Sequence, residues 1–394
     1  MTRQKTVALR LLSLGLATAL WLPCLHLYYA QPATEFAPPQ GVSPLARQLS
    51  AQQLSLWNDP DAQRRERDAM RRTNPEWDFM GRTYLVWALA NMGLRDPASQ
   101  PKYLASMDRI IDDTLTREKQ NGLFYFLMPY AQSGPFVQQP AHSQFLDGEI
   151  ALMLAMRRVV AEKPAYKLLL TARVNCMVAR MEASPTLSAE SYPDECWTFC
   201  NALALDAIKT ADYLDGTDHS DLMCRWVALA KVKLTDPKTG LIVSSYTLNG
   251  RVTAGPQGSS IWMVVHSLQL IDPVFAQDQY RRARRELSRS VLGFGYAREW
   301  PESWTGPMNV DSGVVLPGTD ISPGGTGMAF LGAASFGDAA YLRELTATLQ
   351  YSAFPVLRDG RLRYAASNQV GDAVVLYSAV MGPMWRKISL GAKQ

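Results

Sequence analysis

Ser191-Tyr-Pro-Asp-Glu-Cys-Trp-Thr-Phe-Cys-Asn201 opens a long apolar-periodic segment, and Asp215-Gly-Thr-Asp218 closes it with a short break before the next one starts. Ser191 suits a helix cap and Pro193 a first turn, while Asp194 and Glu195 complement the positive end of the helix dipole. Working outward, apolar spacing and breakers predict twelve helices: 45–70, 76–92, 101–119, 143–160, 164–182, 194–214, 218–235, 258–272, 274–292, 323–336, 338–352 and 371–387. Breaks after the second, fourth, sixth, eighth and tenth helices are short. Those after the third, seventh, ninth and eleventh are long. Twelve antiparallel helices with that alternation read as an all-α fold, an (α/α)6 toroid with even-numbered helices inside and odd-numbered ones outside. Three segments look extended, 122–126, 240–246 and 360–364, so short hairpin-like pieces are expected on one rim. Their leading glycines recur at nearly equal spacing, which suggests internal repetition.

Composition places the chain among folded proteins: 394 residues, 47% hydrophobic, 19% charged, and a formal net charge of +4. The basic clusters Arg64 to Arg72 and Arg281 to Arg289 are interrupted by Glu66, Asp68 and Glu286. They read as solvated helix faces, and no nucleic-acid partner is expected. Five cysteines without CxxC or HExxH spacing and only four histidines give neither a disulfide framework nor a metal site. Nothing calls for a cofactor.

Residues 1–30 read as a targeting element. Arg3, Lys5 and Arg10 precede an uncharged run from Leu11 to Ala30, about the length of a membrane span. A cleavable signal peptide is the rival reading, but Tyr28-Tyr29-Ala30 makes a poor cleavage site, so an uncleaved signal anchor is favoured. By the positive-inside rule it keeps its N-terminus cytoplasmic and sends the main domain, 45–394, to the periplasmic or extracytoplasmic side behind a Pro-rich tether at 31–44.

In a toroid all the long loops and all the inner-helix N-termini share one rim, where function usually sits. The residues placed there are acidic and aromatic. Candidate catalytic groups are Glu149, Asp194, Cys200, Glu195, Asp78 and Asp311; candidate substrate-binding groups are Trp77, Trp197, Cys196, Trp262, Trp304 and Tyr364. Glu76, Asp78 and Asp147 can also be explained as first-turn caps and dipole partners. Glu149 is harder to explain so, because a carboxylate beside Ile150 and Leu152 inside a helix is costly. Cys196 and Cys200, four apart, are expected on one helix face.

The motifs Pro193-Asp194, Cys200-Asn201, Asp215-Gly-Thr-Asp218, Asp236-Pro237, Ser245-Tyr246 and Asp272-Pro273-Val-Phe275 resemble the linalool dehydratase/isomerase family, over roughly residues 75–385. The resemblance implies an (α/α)6 toroid and acid/base chemistry on a monoterpene alcohol, loss of water or allylic movement of the hydroxyl, inside an apolar cavity. Among the family's implied groups, Cys200 matches the second cysteine and Asp194 the preceding acid. Ser191 stands where the first cysteine would be, Glu149 replaces the histidine after glycine, and Ser259 and Ser260 stand where a tyrosine is expected. Stretches such as Asn74-Pro-Glu-Trp-Asp-Phe79 and Asp147-Gly-Glu149 resemble membrane-anchored bacterial relatives.

Three functions follow as expectations. The first is a lyase or isomerase of hydro-lyase type acting on a small apolar alcohol, with Glu149 as neutral acid and Asp194 or a Cys200 thiolate as base. The second is an inverting glycoside hydrolase with paired carboxylates and stacking tryptophans. The third is a noncatalytic envelope module, which would pair its carboxylates with arginines. A small-molecule substrate and the membrane are the partners, and association into a homo-oligomer is left open.

Overall fold

The computed structural model describes residues 3–309 and 314–391. Its helices are α1 (Arg3–Trp21), α2 (Leu25–Tyr29), α3 (Pro44–Asn58), α4 (Pro60–Thr73), α5 (Pro75–Arg95), α6 (Gln100–Asn121), α7 (Gln144–Val160), α8 (Pro164–Glu182), α9 (Thr198–Asp215), α10 (Ser220–Lys233), α11 (Gly258–Ile271), α12 (Pro273–Leu287), α13 (Pro323–Ser335), α14 (Ala339–Ser352), α15 (Gln369–Val380) and α16 (Pro383–Gly391). Local chemistry sets many of the starts. Pro occupies the first helical position of α3, α4, α5, α8, α12 and α13, where its missing N–H is not needed. Ser43, Asp59, Asn74, Asp272, Ser322, Asp338 and Asn368 accept hydrogen bonds from first-turn N–H groups.

Helices α5, α7, α9, α11, α13 and α15 pack each against the next, and α15 closes on α5. This closed inner ring is apolar on nearly every face, with residues 78–93 of α5 and 144–159 of α7 almost wholly buried. Helices α3, α4, α6, α8, α10, α12 and α14 carry one buried stripe and lie outside it, α6, α8, α12 and α14 each packed on the inner helix before them, while α16 packs on the inner helices α5 and α9. The architecture is an all-α (α/α)6 toroid, with the predicted parity of inner and outer helices.

Several predicted boundaries are corrected. The segment 45–70 divides at Asp59-Pro60, because Pro60 lacks an N–H and Asp59 caps a new helix. The last helix divides likewise at Gly382-Pro383. Residues 123–126 form a 3₁₀ turn and not a strand. The helix expected from Asp194 starts at Thr198: residues 192–195 make a tight turn bridging Tyr192 to Glu195, and Cys196–Trp197 form strand β1. Asp194 there has φ +52°, a conformation tolerated by Asp more than by most residues. Ser191 is therefore not the cap of α9, and Cys196 and Cys200 do not share a helix face.

β1 pairs with β2 (Ser245–Tyr246), which pairs with β3 (Val252–Ala254), in register Cys196 to Tyr246 and Trp197 to Ser245. Two hairpins were not predicted in full. β4 (Ser288–Val291) and β5 (Phe294–Ala297) turn at Leu292-Gly293, and β6 (Pro355–Arg358) and β7 (Arg361–Tyr364) turn at Asp359-Gly360. Both turn residues of each have positive φ, as the tightest hairpin turns require. All these strands lie in loops that enter the N-termini of inner helices, so they rise from one rim.

The segment expected to be an extended tether lies against the toroid. Residues 33–35 make a 3₁₀ turn, Phe36 stacks on Phe330 at 5.3 Å, and Val42 is buried.

Candidate functional site

Gly148 decides how closely the ring is drawn at the site. A Cβ there would lie 3.2 Å from the Ala204 nitrogen and 3.3 Å from the Cys200 carbonyl, so α7 and α9 approach backbone to backbone. That contact brings Glu149, in the second turn of α7, beside Cys200, in the first turn of α9. Both are buried, Glu149 completely.

Glu149 has no cationic neighbour at hydrogen-bond distance among the described residues. Its Oε2 accepts a 2.6 Å hydrogen bond from the Thr83 hydroxyl on α5, and Oε1 has no protein partner among the described residues. Burial, with the Glu76 carboxylate adding to it and the Thr83 bond opposing, pushes the Glu149 carboxyl up to about 8. It is mostly protonated at neutral pH. Burial, together with the charges of Glu149, Glu76 and Glu195, likewise pushes the Cys200 thiol well above its ordinary range, while Ser191 beside it acts in the opposite direction. Cys200 is therefore a neutral thiol, and the expectation of a thiolate base is corrected.

Glu76, in the first turn of α5, is a rim carboxylate that the sequence also explained as a cap. It accepts a short hydrogen bond from the Tyr192 hydroxyl, which also takes one from the Met128 N–H at 3.0 Å. Tyr130 stacks on Tyr192 with ring centroids 4.4 Å apart and reaches Glu195 at 3.5 Å. These two tyrosines cover the cluster from the rim. Buried Glu190 ties the cover down, accepting N–H bonds from Val137, Gln138 and Asp194 at 2.9, 2.6 and 2.6 Å.

A second polar layer lies deeper in the ring. Asp206 on α9 is fully buried, and burial raises its pKa well above the ordinary carboxylate range while the nearby Ser267 hydroxyl acts in the opposite direction. Tyr377 on α15 bonds His266 Nε2 at 2.9 Å, and Ser335 bonds Nδ1 at 2.7 Å. Burial holds His266 down to about 3, which keeps the imidazole neutral.

The other predicted residues are distributed as follows. Asp194 is exposed on its turn, where its Oδ1 accepts from the Leu248 N–H at 3.3 Å, so it does not face Glu149 as a base. Glu195 is half-buried under Tyr130. Asp78 faces outward from the ring, 2.9 Å from Arg82 and 3.6 Å from Arg71, which accounts for its burial as an ion pair. Asp311 lies outside the described residues.

Trp197 and Cys196 are buried in and beside β1 at the start of α9, with the Trp197 indole N–H unpartnered among the described residues. Trp77 is half-buried in the first turn of α5. Trp262 points to the outer layer, with Tyr280 and Tyr341 each 6.2 Å away, and packs on Gly332. Trp304 stacks on Trp300, lies over Gly255 and Gly306, and donates to the Pro307 carbonyl. Buried Tyr364 receives a hydrogen bond from Gln350. Trp262 and Tyr364 are thus buried among protein neighbours, and Trp304 is half-buried on its loop.

His142, Asp147 and Cys176 bring three possible metal donors together. Arg173 and Arg180 already stand 2.6 and 3.3 Å from Asp147. Burial opposes ionisation of Asp147, yet the His142 bond and those guanidinium charges hold its pKa low. Its charge is thus compensated by side chains of the protein itself.

The fold and this enclosed cluster of carboxyl, thiol and phenol define an (α/α)6 toroid with a desolvated acid at the mouth of its inner ring. Residues 152–370, more than half of the chain, match the linalool dehydratase/isomerase family, and the chain belongs to that family. The match includes Cys196, Cys200 and Asp206 and begins just after Glu149. No curated protein matches the chain. Among solved structures, a GH76 alpha-mannanase from Bacteroides thetaiotaomicron is similar at 11% identity and TM-score 0.49, covering 79% of this chain and 87% of that one. A D-mannose isomerase is similar at 12% identity and TM-score 0.48, covering 78% and 86%.

Proposed function

We propose that this chain is a membrane-anchored, outward-facing lyase or isomerase that removes or moves the hydroxyl of a small apolar alcohol. One observation carries the reading: Glu149 is fully buried, held mostly protonated at neutral pH, and has one carboxyl oxygen uncommitted beside Glu76 and Cys200. Glu149 gives its proton to the substrate hydroxyl, the C–O bond breaks, and water leaves. Glu76, held by Tyr192, takes a proton from the neighbouring carbon, whose C–H electrons form the alkene. The proton then passes from Glu76 to Glu149, closing the cycle without net charge change. In the isomerase variant the released water adds back to the allylic cation at its other end and gives up its proton to the Glu149 carboxylate. The face of Trp197 and the π-clouds of Tyr192 and Tyr130 are suited to the cationic intermediate. Cys200 contributes a neutral, polarisable wall.

Anchoring is supported by the N-terminal helical segment Gln4–Glu35, which is long and apolar enough to cross a membrane and whose apolar stretch is not buried in the domain. Arg10 and Lys5 on its N-terminal side favour a cytoplasmic start.

The test is turnover of a panel of terpene alcohols by the full chain in detergent or vesicles, with oligosaccharides as the competing class. Dehydration or isomerisation abolished in Glu149→Gln and Glu76→Gln supports the reading. Sugar release that Glu149→Gln abolishes, or alcohol turnover that survives both substitutions, overturns it.

A further inference from the structure

The uncharged run Leu11 to Ala30 is 20 residues, roughly the 30 Å needed to span a hydrocarbon core at 1.5 Å per residue. Its outer end docks at one place on the toroid. Tyr29 packs edge-on against Tyr351 with ring centroids 5.3 Å apart, and His26 meets Phe294 at 6.4 Å. His26 also covers Gly293 so closely that a Cβ there would fall 2.3 Å from the imidazole. Tyr351 ends the outer helix α14, and outer helices end on the rim where inner helices begin. Gly293 is the tip of β4–β5 on that same rim. From there the chain descends: the Gln31 N–H bonds Thr346 at 3.1 Å, Phe36 stacks on Phe330, and α3 starts at the opposite rim. The anchor therefore leaves the domain from the rim that carries the site.

Around that exit, Val291 and Leu292 at one hairpin tip are 57% and 45% exposed, and Phe354 and Leu357 at the foot and on the strand of the other are 64% and 56% exposed. Large apolar side chains exposed on two hairpins of one rim mark an interaction surface. Arg358 and Arg361, exposed on β6–β7, make no ion pair among the described residues. The β4–β5 tip is level with His26, about one helical turn before the run ends, and Tyr28 and Tyr29 supply the aromatic pair typical of a membrane–water boundary.

We infer that the site rim lies against the outer leaflet. The tips of β4–β5 and β6–β7 sit at headgroup depth and Arg358 and Arg361 meet anionic headgroups, so the site is presented to alcohols dissolved in the lipid. This rests on the anchored reading above.

The full chain, with Cys24→Ser, Cys176→Ser and Cys224→Ser, is labelled with an environment-sensitive fluorophore at Leu14→Cys, Leu292→Cys, Leu357→Cys or Val274→Cys. It is then placed in phosphatidylglycerol/phosphatidylethanolamine vesicles containing doxyl-labelled lipid. Val274, 80% exposed at the start of α12, marks the opposite rim. Quenching at positions 14, 292 and 357 but not at 274 is the expected result. If position 14 is quenched while 292 and 357 behave like 274, the anchor stands and the docked rim is wrong. If position 14 is not quenched, the anchor itself fails and the docking fails with it.

Discussion

Thr83 on α5 donates a 2.6 Å hydrogen bond to Glu149 on α7, and among the described residues this is the one hydrogen bond made by a carboxyl that is completely buried. Across 66 positions of sequence it fixes one oxygen of the acid and leaves the other buried without a hydrogen-bond partner among the described residues. The same burial that makes Glu149 a proton donor at neutral pH makes it a liability to the fold when it ionises.

That liability gives a stability prediction. Burial first, and Glu76 second, raise Glu149 to about 8, so the folded state binds its proton more tightly than the unfolded state does. Stability is then full below the unfolded value, about 4.3 for Glu, declines as pH rises, and levels off above about 8. The slope is at most about 1.4 kcal/mol per pH unit for each such group. Asp206, raised chiefly by burial, adds a slope of the same sign. Thermal unfolding between pH 5 and 9 is expected to show Tm falling with pH, with a smaller fall in Glu149→Gln and a smaller one still in Glu149→Gln/Asp206→Asn. A wild-type Tm that rises over this range contradicts buried neutral carboxyls.

Thr83→Val tests the contact from its other side. The Thr83 bond opposes the upward shift of Glu149, so removing it moves the carboxyl further up. The high-pH limb of the activity profile is expected to move to higher pH, with a loss of about 1 kcal/mol in stability for the broken bond. A limb that moves to lower pH would sink the assignment of Glu149 as the acid.

The close approach of α7 and α9 predicts the effect of Gly148→Ala. The new Cβ would meet backbone atoms of Ala204 and Cys200 at 3.2 to 3.3 Å, and backbone yields less readily than a side-chain end. A loss of about 1–3 kcal/mol, of the kind seen in overpacked cores, is expected in denaturant titration. Turnover should drop as well, because Glu149 is displaced from Cys200. Full activity and unchanged stability would mean that the two helices are free to spread.

How much of this was legible in the sequence depends on the range of the interaction. The toroid was readable because loop length alternates with helix parity, a property of the chain's own order, and Glu149 was readable because a carboxylate between Gly148 and Ile150 contradicts its apolar surroundings. Thr83 left no such signal: a threonine inside an apolar helix looks like filler until the ring closes. Asp78 and Trp262 were placed on the rim correctly in height but wrongly in facing, since an inner helix is apolar all round and its periodicity does not say which side sees the axis. Asp194 and Cys196 were misread for a different reason: a turn at 192–195 and the pairing of β1 with β2 delay the helix to Thr198, and that pairing partner lies some fifty residues downstream.

Tyr192 gives the last prediction, because it separates the base from the acid. Its hydroxyl donates to Glu76, and burial together with that carboxylate raises its own pKa, so it remains a phenol throughout the working range. Tyr192→Phe keeps the ring stacked on Tyr130 and removes only the donor. Glu76 without that donor is a stronger base but a less firmly placed one. If placement dominates, kcat falls, roughly tenfold or more given the 10²–10⁴ range of positioned acid/base groups, while KM changes little because the apolar walls are intact. The low-pH limb of the profile should also move up, since a carboxylate stripped of a hydrogen-bond donor protonates more readily. Steady-state kinetics from pH 5 to 9 reads both effects. An unchanged kcat with an unchanged low-pH limb would remove Glu76 from the reaction and leave Glu149 to work with a different base.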